Sequence, residues 1–129
     1  MGQQQLLLII LGVIIVGIAI AVGLSLFAAN SVQANKDAMI NDINNLAANA
    51  YQYKIRPASM AGGGGSYLGY DIPFKMSSND NATYVASGQS ATNCTFTGTS
   101  HVNTGTVTGS VDADGKLTFG STAFTGDFE

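Results

Sequence analysis

The first hydrophobic block of the chain runs from Leu6 to Ala29 and reads LLLIILGVIIVGIAIAVGLSLFAA. It contains no charged residue, and Leu, Ile, Val and Phe occupy sixteen of its positions. As an α-helix it would be about 36 Å long, against about 30 Å for the hydrocarbon core of a bilayer. Those side chains favour membrane insertion by about 5 to 10 kcal/mol. The pattern predicts a helix over residues 6–29 that crosses a membrane with some tilt.

A removable signal peptide does not fit this block. Such a peptide has a basic start, an apolar core of about 7 to 15 residues and a small-residue cleavage site. Here the opening MGQQQ has no Lys or Arg, and the first charged side chain is Lys36. The positive charges that orient a membrane helix are therefore missing as well. We expect that a basic leader has been removed from this sequence or is not included in it.

A second pattern begins after the polar step NSVQANKD. Apolar residues recur there at helical spacing, and asparagines occupy the other side of the predicted helix. No proline occurs before Pro57, which disfavours helix at Arg56. The sequence predicts one N-terminal helix over 1–56, with an apolar half at 6–29 and an amphipathic half at 30–56. The face expected to pack against a folded head is formed by Met39, Ile43, Leu46, Ala50 and Tyr53.

The segment 57–82 differs in composition from the helix before it. It has the only run of four glycines, Gly62 to Gly65, together with the second proline and a polar cluster, which predicts an irregular connecting loop. A phosphate-binding loop needs a Lys and a Ser or Thr after its glycines, and no such Lys follows here, so no nucleotide is expected. We expect the glycines to let the backbone pass close to the helix. The apolar side chains available to seal the loop are Tyr67, Leu68, Tyr70, Ile72 and Phe74.

Residues 83–129 form a threonine-rich segment, and all eleven threonines lie between Thr83 and Thr125. Apolar and polar residues alternate there in short runs, as in strands that bury one face. Asp112 to Gly115 predict a hairpin turn between two of these runs. The predicted fold class is α+β: a long N-terminal helix that carries a small antiparallel β-sheet as a head. We predict four or five strands, at 83–87, 93–99, 104–112, 116–120 and, as the fifth, 122–126.

Charge and chemistry exclude several classes of function. A net charge of −3, with 10% charged residues, leaves no basic patch for nucleic acid. His101 and Cys94 are single residues of their types, so we predict neither an enzyme nor a bound metal or cofactor. Cys94 alternates onto the apolar side beside Phe96, which indicates a buried thiol; pairing between chains is the alternative.

Two triplets match the N-glycosylation pattern, Asn81 in NAT and Asn93 in NCT. A glycan at either position would require that residue to lie on an outer surface. Because Asn93 is next to a cysteine expected to point inward, Asn81 is the better candidate.

The first 55 residues resemble the type IV pilin superfamily, which includes bacterial pilins, pseudopilins of type II secretion, archaeal pilins and archaellins. The likeness rests on an uncharged apolar helix that extends into an amphipathic half bearing a small sheet. The stretch GQQQLLLIILGVIIVG is similar to sequences around the site cut by prepilin peptidase. The resemblance implies that Gly2 precedes the cut and that Gln3 becomes the new terminus. Met1 is the alternative mature terminus.

The chain departs from the bacterial members of this superfamily in its apolar half. Bacterial pilins usually have a glutamate near the mature terminus, whereas this chain has glutamines at 3–5 and no carboxylate before Asp37. Register between subunits would then come from apolar packing and glutamine hydrogen bonds, a pattern closer to archaeal filaments or divergent bacterial pilins. The usual proline of the apolar half is also absent. Flexibility or close helix approach would be supplied by Gly12, Gly17 and Gly23.

The resemblance implies a structural subunit of an extracellular helical filament, a pilus or fimbrium at the cell surface with a role in adhesion. The subunit would be stored in the cytoplasmic membrane by residues 6–29 and then polymerise with its own copies through helix packing in the filament core. Prepilin peptidase and a pilus assembly machinery are the implied partners. The implied core-packing residues are Leu6, Leu7, Ile10, Ile14, Ile18, Val22 and Phe27.

Two other interpretations stay open at this point. A pseudopilin that acts as a short piston in secretion would more often keep the glutamate and a calcium-tied head. A single-pass, membrane-anchored β-domain that binds a ligand would be favoured if the protein stayed monomeric in detergent.

Overall fold

A computed structural model describes residues 2–129, so Met1, one of the two candidate mature termini, lies outside the described residues. Helix α1, Gly2–Ile55, is followed by a short 3₁₀ turn at Ala58–Met60 and helix α2 at Phe74–Ser77. A long N-terminal helix followed by a small antiparallel sheet confirms the predicted α+β class. The strands are β1 Ala82–Ser87, β2 Cys94–Ser100, β3 Thr106–Val111, β4 Leu117–Thr118 and β5 Phe124–Thr125, before a last 3₁₀ turn at Gly126–Phe128.

The chain divides into two compact units, Met1–Val32 and Gln33–Glu129. In the described part of the first unit, every residue is helical and every residue from Gly2 to Ser31 is exposed. The second unit contains the rest of α1, the connecting loop and the sheet, and it holds the hydrophobic core. The two units therefore differ in where their apolar side chains lie: they are exposed in the first unit and buried in a core in the second.

The four consecutive glycines cap the C-terminal end of α1. The N–H of Gly63 donates to the carbonyl of Tyr53 at 2.8 Å, and the N–H of Gly65 donates to that of Lys54 at 2.7 Å. These bonds satisfy carbonyls that the last helical turn leaves without partners. A Cβ on Gly62 would lie 2.3 Å from a backbone oxygen at the helix end, so a side chain cannot fit there. The glycines thus pass close to the helix, as the sequence predicts.

The sheet is antiparallel throughout, in the order β1, β2, β3, β4. β5 shares the outer edge of β3 with β4, since β4 pairs with Ser110 and Val111 while β5 pairs with Thr106 and Val107. Both strands have only two residues, fewer than predicted, because the chain turns away from the sheet at 119–123.

The predicted hairpin turn joins β3 to β4. The N–H of Asp112 donates to the carbonyl of Lys116 at 3.0 Å, and the side-chain Oδ1 of Asp112 accepts from the N–H of Lys116 at 2.9 Å. Gly115 has a φ of 84°, in the left-handed region that favours glycine. The turn therefore forms where the sequence predicts it, with the aspartate and the glycine in the positions that a tight turn favours.

The amphipathic half of α1 packs on the inward face of the sheet. Glycines on β2 and β3 make room for it: the Cε of Met39 lies 3.1 Å from the Cβ position of Gly98, and the Cγ2 of Ile43 lies 3.3 Å from that of Gly109. Burying these side chains supplies about 1.5 to 3 kcal/mol each. Around them the core is completed by Leu46, Ala47, Ala50, Tyr67, Tyr70, Ile72, Ala82, Tyr84, Cys94, Phe96, Val107, Val111, Ala123 and Phe128.

The connecting loop is sealed by fewer side chains than predicted. Tyr67, Tyr70 and Ile72 are buried, as expected, but Leu68 is 59% exposed and Phe74 is 92% exposed, so a sealing role for those two is wrong. Phe74 instead begins α2, a short helix that the sequence did not predict.

Candidate functional site

The exposed side chains of the first unit form a continuous apolar surface. The unit has no charged residue, and its large hydrocarbon side chains from Leu6 to Phe27 are more than half exposed on all sides of the helix. A helix that is apolar on all sides needs lipid or protein around it, because water solvates such a surface poorly. The residues predicted for core packing all belong to this surface: Leu6, Leu7, Ile10, Ile14, Ile18, Val22 and Phe27.

α1 is the one helix in the described chain that is long and apolar enough to cross a membrane. An 18-residue window near its N-terminus has a mean hydropathy of 3.2, and none of that window is buried. This exposure separates it from the core helix of a soluble protein, which has a similar composition but lies inside the fold. Length and composition therefore weakly indicate membrane anchoring.

Three glycines leave small notches in this apolar surface. A Cβ added to Gly12, Gly17 or Gly23 would meet no atom of residues 2–129 within 4 Å beyond the adjacent helix backbone. The fold of the single chain therefore does not require glycine at any of the three positions. α1 remains helical through all of them. Small residues of this kind let neighbouring helices approach closely in an apolar environment.

The processing candidates lie in the first turn of α1. Gly2 and Gln3 are both helical and exposed, and Gln4 and Gln5 follow them on the same exposed turn. A first turn without acidic residues has free N–H groups that polar partners outside the chain can satisfy.

The amphipathic half of α1 contrasts with this surface because its apolar stripe is already covered. Met39, Ile43, Leu46 and Ala50 are buried beneath the head of the same chain. Tyr53, the last residue of the predicted stripe, is half-buried; its hydroxyl donates to the carbonyl of Leu68 at 3.0 Å, and its ring centroid lies 5.4 Å from that of Tyr70.

Asn35 is a buried polar residue that the sequence analysis did not identify. Its Oδ1 accepts from the hydroxyl of Ser100 at 2.7 Å and from the Nδ2 of Asn103 at 3.3 Å, while its own Nδ2 donates to the carbonyl of Asn81 at 3.4 Å. The available signal was its position, since Asn35 lies one turn before Met39 on the same stripe. The side chain fixes α1 to the end of the β1–β2 pair at which β1 begins and β2 finishes.

Asp42 fixes the next turn of α1. Its Oδ2 accepts from the hydroxyl of Tyr84 at 2.5 Å and from the Nδ2 of Asn79 at 2.8 Å. Burial and the bond to Asp42 raise the pKa of Tyr84 above its ordinary value. The hydroxyl of Tyr70 donates to the Oδ1 of Asn49 at 2.8 Å, and burial raises the pKa of Tyr70 in the same way. These polar contacts hold the helix in one register on the head.

The side chains that could take part in chemistry, Cys94 and His101, do not form a cluster. Cys94 is buried, and burial raises the pKa of its thiol to about 11, so the thiol is protonated near neutral pH. His101 is exposed, and its Nε2 shares a 2.9 Å hydrogen bond with the hydroxyl of Thr83. Within residues 2–129 no group of three or more His, Cys, Asp or Glu side chains is placed to hold a metal ion.

The two glycosylation triplets differ in exposure from what the sequence suggests. Asn93 is exposed in the β1–β2 loop, whereas Asn81 is half-buried. The carbonyl of Asn81 accepts from Asn35 and from the N–H of His101 at 3.0 Å, which holds that residue against the fold. The side chain of Asn93 is thus the more accessible of the two, because the strand places only the neighbouring Cys94 inside.

No protein-family model, no curated protein and no solved structure matches this chain. The long apolar helix followed by a small antiparallel sheet is compatible with a pilin-like architecture.

Proposed function

We propose that this protein is the structural subunit of a helical surface filament, stored in a membrane before assembly. The observation that supports this most is the contrast within α1. Its second half is covered by the chain's own head, while its first half exposes hydrocarbon on every side and is not covered by any of residues 2–129. A surface of that kind needs an apolar environment from outside the chain.

Two environments can keep this apolar surface away from water. In a bilayer, lipid tails surround residues 6–29; in a filament, the same residues of neighbouring copies surround them. Lipid and packed aliphatic side chains are similarly apolar, so transfer between the two costs little free energy. A repeated contact between different patches of identical subunits produces an open helix when its rotation does not close a ring. The heads then form the outer surface.

The proposed subunit is cut by a peptidase and then moved from the membrane into the filament. The resemblance to type IV pilins makes Gly2 and Gln3 the residues on either side of a prepilin-peptidase cut. An assembly machinery would extract the processed subunits from the membrane in order. Adhesion is the role that the exposed heads would serve.

Electron microscopy with image averaging tests the proposal, on material sheared from cells that express the full gene with its upstream codons. Thin, uniform filaments with packed helices inside and heads outside are the expected result, and the averaged density would also locate the mature terminus. Detergent-soluble monomers, without filaments under conditions that assemble known pilins, would sink the proposal.

The substitution Gly17→Leu separates a filament subunit from a simple anchor. Leucine favours insertion, and its Cβ would meet no atom of residues 2–129 beyond the adjacent helix backbone, so the amount of protein in the membrane should not change. Overpacking between helices costs about 1 to 3 kcal/mol, so filament yield should fall by about tenfold or more. Leu8→Ile, which keeps side-chain volume, is the matched control. Normal assembly of Gly17→Leu would contradict close helix packing at this position.

A single-pass anchored β-domain is the second candidate. The observation that favours it is that the core of Gln33–Glu129 is complete within one chain, so the head does not need a neighbour to bury its apolar residues. This function predicts membrane-bound monomers of the wild-type protein and no effect of Gly17→Leu.

A further inference from the structure

The outward side of the sheet presents a regular array of hydroxyl groups. On its two central strands, β2 and β3, three cross-strand pairs point away from α1, and every member is Thr or Ser. We call these six residues the hydroxyl face: Thr95 opposite Ser110, Thr97 opposite Thr108, and Thr99 opposite Thr106. β1 extends the array with Thr83 and Ser87, on either side of the exposed Val85, and β4 and β5 extend it with Thr118 and Thr125.

The centre of the hydroxyl face is free to bind something outside the chain. At its margins the hydroxyls bond to one another, as Thr106 does to Thr125 and Ser110 does to Thr118. In contrast, the hydroxyls of Thr97 and Thr108 have no hydrogen-bond partner among the described residues. A hydroxyl group both donates and accepts, so an array of them is complementary to a copy of itself.

The hydroxyl face is also free of charge. None of the five strands contains a charged residue, although the chain as a whole has a net charge of −3. Net negative charge makes copies of this protein repel one another, and this face brings no like charges into contact. The face also has no aromatic ring on which a sugar could stack, because Tyr84 and Phe96 point into the core. Charge and shape therefore favour a second copy as the partner.

The size of the face determines how strong this contact can be. Together with its extensions on β1 and on β4 and β5, the face covers four strand positions about 4.8 Å apart and about 20 Å long, or about 400 Å². A stable interface between two free proteins needs about 800 Å² on each partner. A single pair of heads is therefore too weak to stay together, but a row of heads along a filament multiplies the contact.

We propose that the hydroxyl face is the lateral contact through which filaments of this protein pack side by side into bundles. The partner is the same face on a subunit of a neighbouring filament. This inference rests on the proposed function, since it needs a polymer that repeats the face many times. The contact is made by hydroxyl and methyl groups alone, so it does not weaken as salt rises.

The substitution Thr97→Glu tests the contact at its centre. It places one negative charge on every head, and repetition along the filament should reduce bundled material, measured by low-speed sedimentation and negative-stain microscopy, by about tenfold or more. Single filaments of unchanged diameter should remain. Thr99→Glu, at a more exposed position of the same face, is a second variant in case Thr97→Glu folds poorly. Thr92→Glu adds the same charge to an exposed loop outside the face and should leave bundling unchanged.

Salt gives an independent measurement on the wild-type filaments. Their bundles should persist up to about 1 M salt, where charges are screened beyond about 3 Å, and Thr97→Glu filaments should regain bundling there. Wild-type bundles that disperse as salt rises would overturn the proposal. So would Thr97→Glu filaments that bundle like wild type at low salt, or glycans found on the face by mass spectrometry.

The failure of this inference can be told apart from the failure of the proposed function. If the wild-type chain forms no filaments, the proposed function fails, and the face is tested instead on vesicles that display the full chain at high density. Clustering of such vesicles, abolished by Thr97→Glu and not by Thr92→Glu, would support the hydroxyl face as a contact between copies. Vesicles that stay dispersed with the wild-type chain would contradict it.

Discussion

At Asn35, three hydrogen bonds join α1 to residues around the β1–β2 pair. We predict that Asn35→Ala lowers the free energy of unfolding of the head by about 1 to 3 kcal/mol, because Ser100 and Asn103 lose a buried partner. Denaturant unfolding of the full chain in detergent, followed by circular dichroism, measures this. Asn44→Ala, at an exposed position of the same helix, should change stability by less than about 0.5 kcal/mol. Equal effects of the two substitutions would contradict the role given to Asn35.

Cys94 supplies a second test at the residue scale. Because the thiol is buried and its pKa is raised to about 11, we predict that a thiol reagent at neutral pH leaves it unmodified in the folded protein. Unfolding in denaturant should expose it to complete modification. Rapid labelling of the native protein, or a disulfide-linked dimer on a non-reducing gel, would instead favour the pairing of cysteines between chains.

Among the elements, β2 and β3 approach α1 most closely where they lack side chains. A Cβ on Gly98 would lie 2.8 Å from the ring of Tyr84, which cannot move away easily because its hydroxyl is bonded to Asp42. We predict that Gly98→Ala destabilises the head by about 1 to 3 kcal/mol, as measured by denaturant unfolding. Gly120→Ala is the control, since a Cβ there meets nothing within 4 Å. If Gly98→Ala left the free energy of unfolding unchanged, the close approach of Tyr84 and Met39 to this glycine would be contradicted.

The elements also show how far the sequence predicts this fold. α1 and the three longer strands were predictable because each depends on a local pattern, an apolar run or an alternation of two. β4 and β5 came out shorter than predicted because their pairing depends on how both share one edge of β3, which local alternation does not reveal. α2 and the exposure of Phe74 were missed because the apolar residues of the loop do not themselves indicate which of them the fold buries, and it buries Tyr67 and Tyr70.

The candidate surfaces divide in the same way. The apolar half of α1 was predictable from composition alone, since its exposure follows from having no other element to cover it. The importance of Asn35 was not, because its partners lie 46 to 68 positions further along the chain. The hydroxyl face is intermediate: alternation places threonines on one side, but only the register brings Thr97 opposite Thr108.

At the scale of the whole molecule, several buried groups make stability depend on alkaline pH. Burial raises the pKa of Tyr67 to about 12 and that of Cys94 to about 11, and it raises those of Tyr70 and Tyr84 as well. A raised pKa means that the unfolded chain releases these protons first, so the stabilisation is complete below the ordinary values and is lost as pH rises through the folded ones.

We therefore predict that the unfolding free energy of the head is flat up to about pH 8 and falls steadily above about pH 9. Denaturant unfolding at a series of pH values, with tyrosinate absorbance as a second signal, measures the fall. Cys94→Ala should make the fall shallower between the ordinary pKa of a thiol and about 11. Stability that stays constant to about pH 12 would contradict the burial of these groups.

The stripe of α1 that lies on the sheet has a mechanical consequence. The helix contacts the head at successive turns through Met39, Ile43, Leu46 and Ala50. Asn35 and Asp42 add hydrogen bonds from the same helix to the head. A force along the axis of this helix acts on all of these contacts in shear at the same time. Each contact therefore bears only part of the force. The head is therefore built to resist tension applied through α1 far better than a force that peels the helix away one turn at a time.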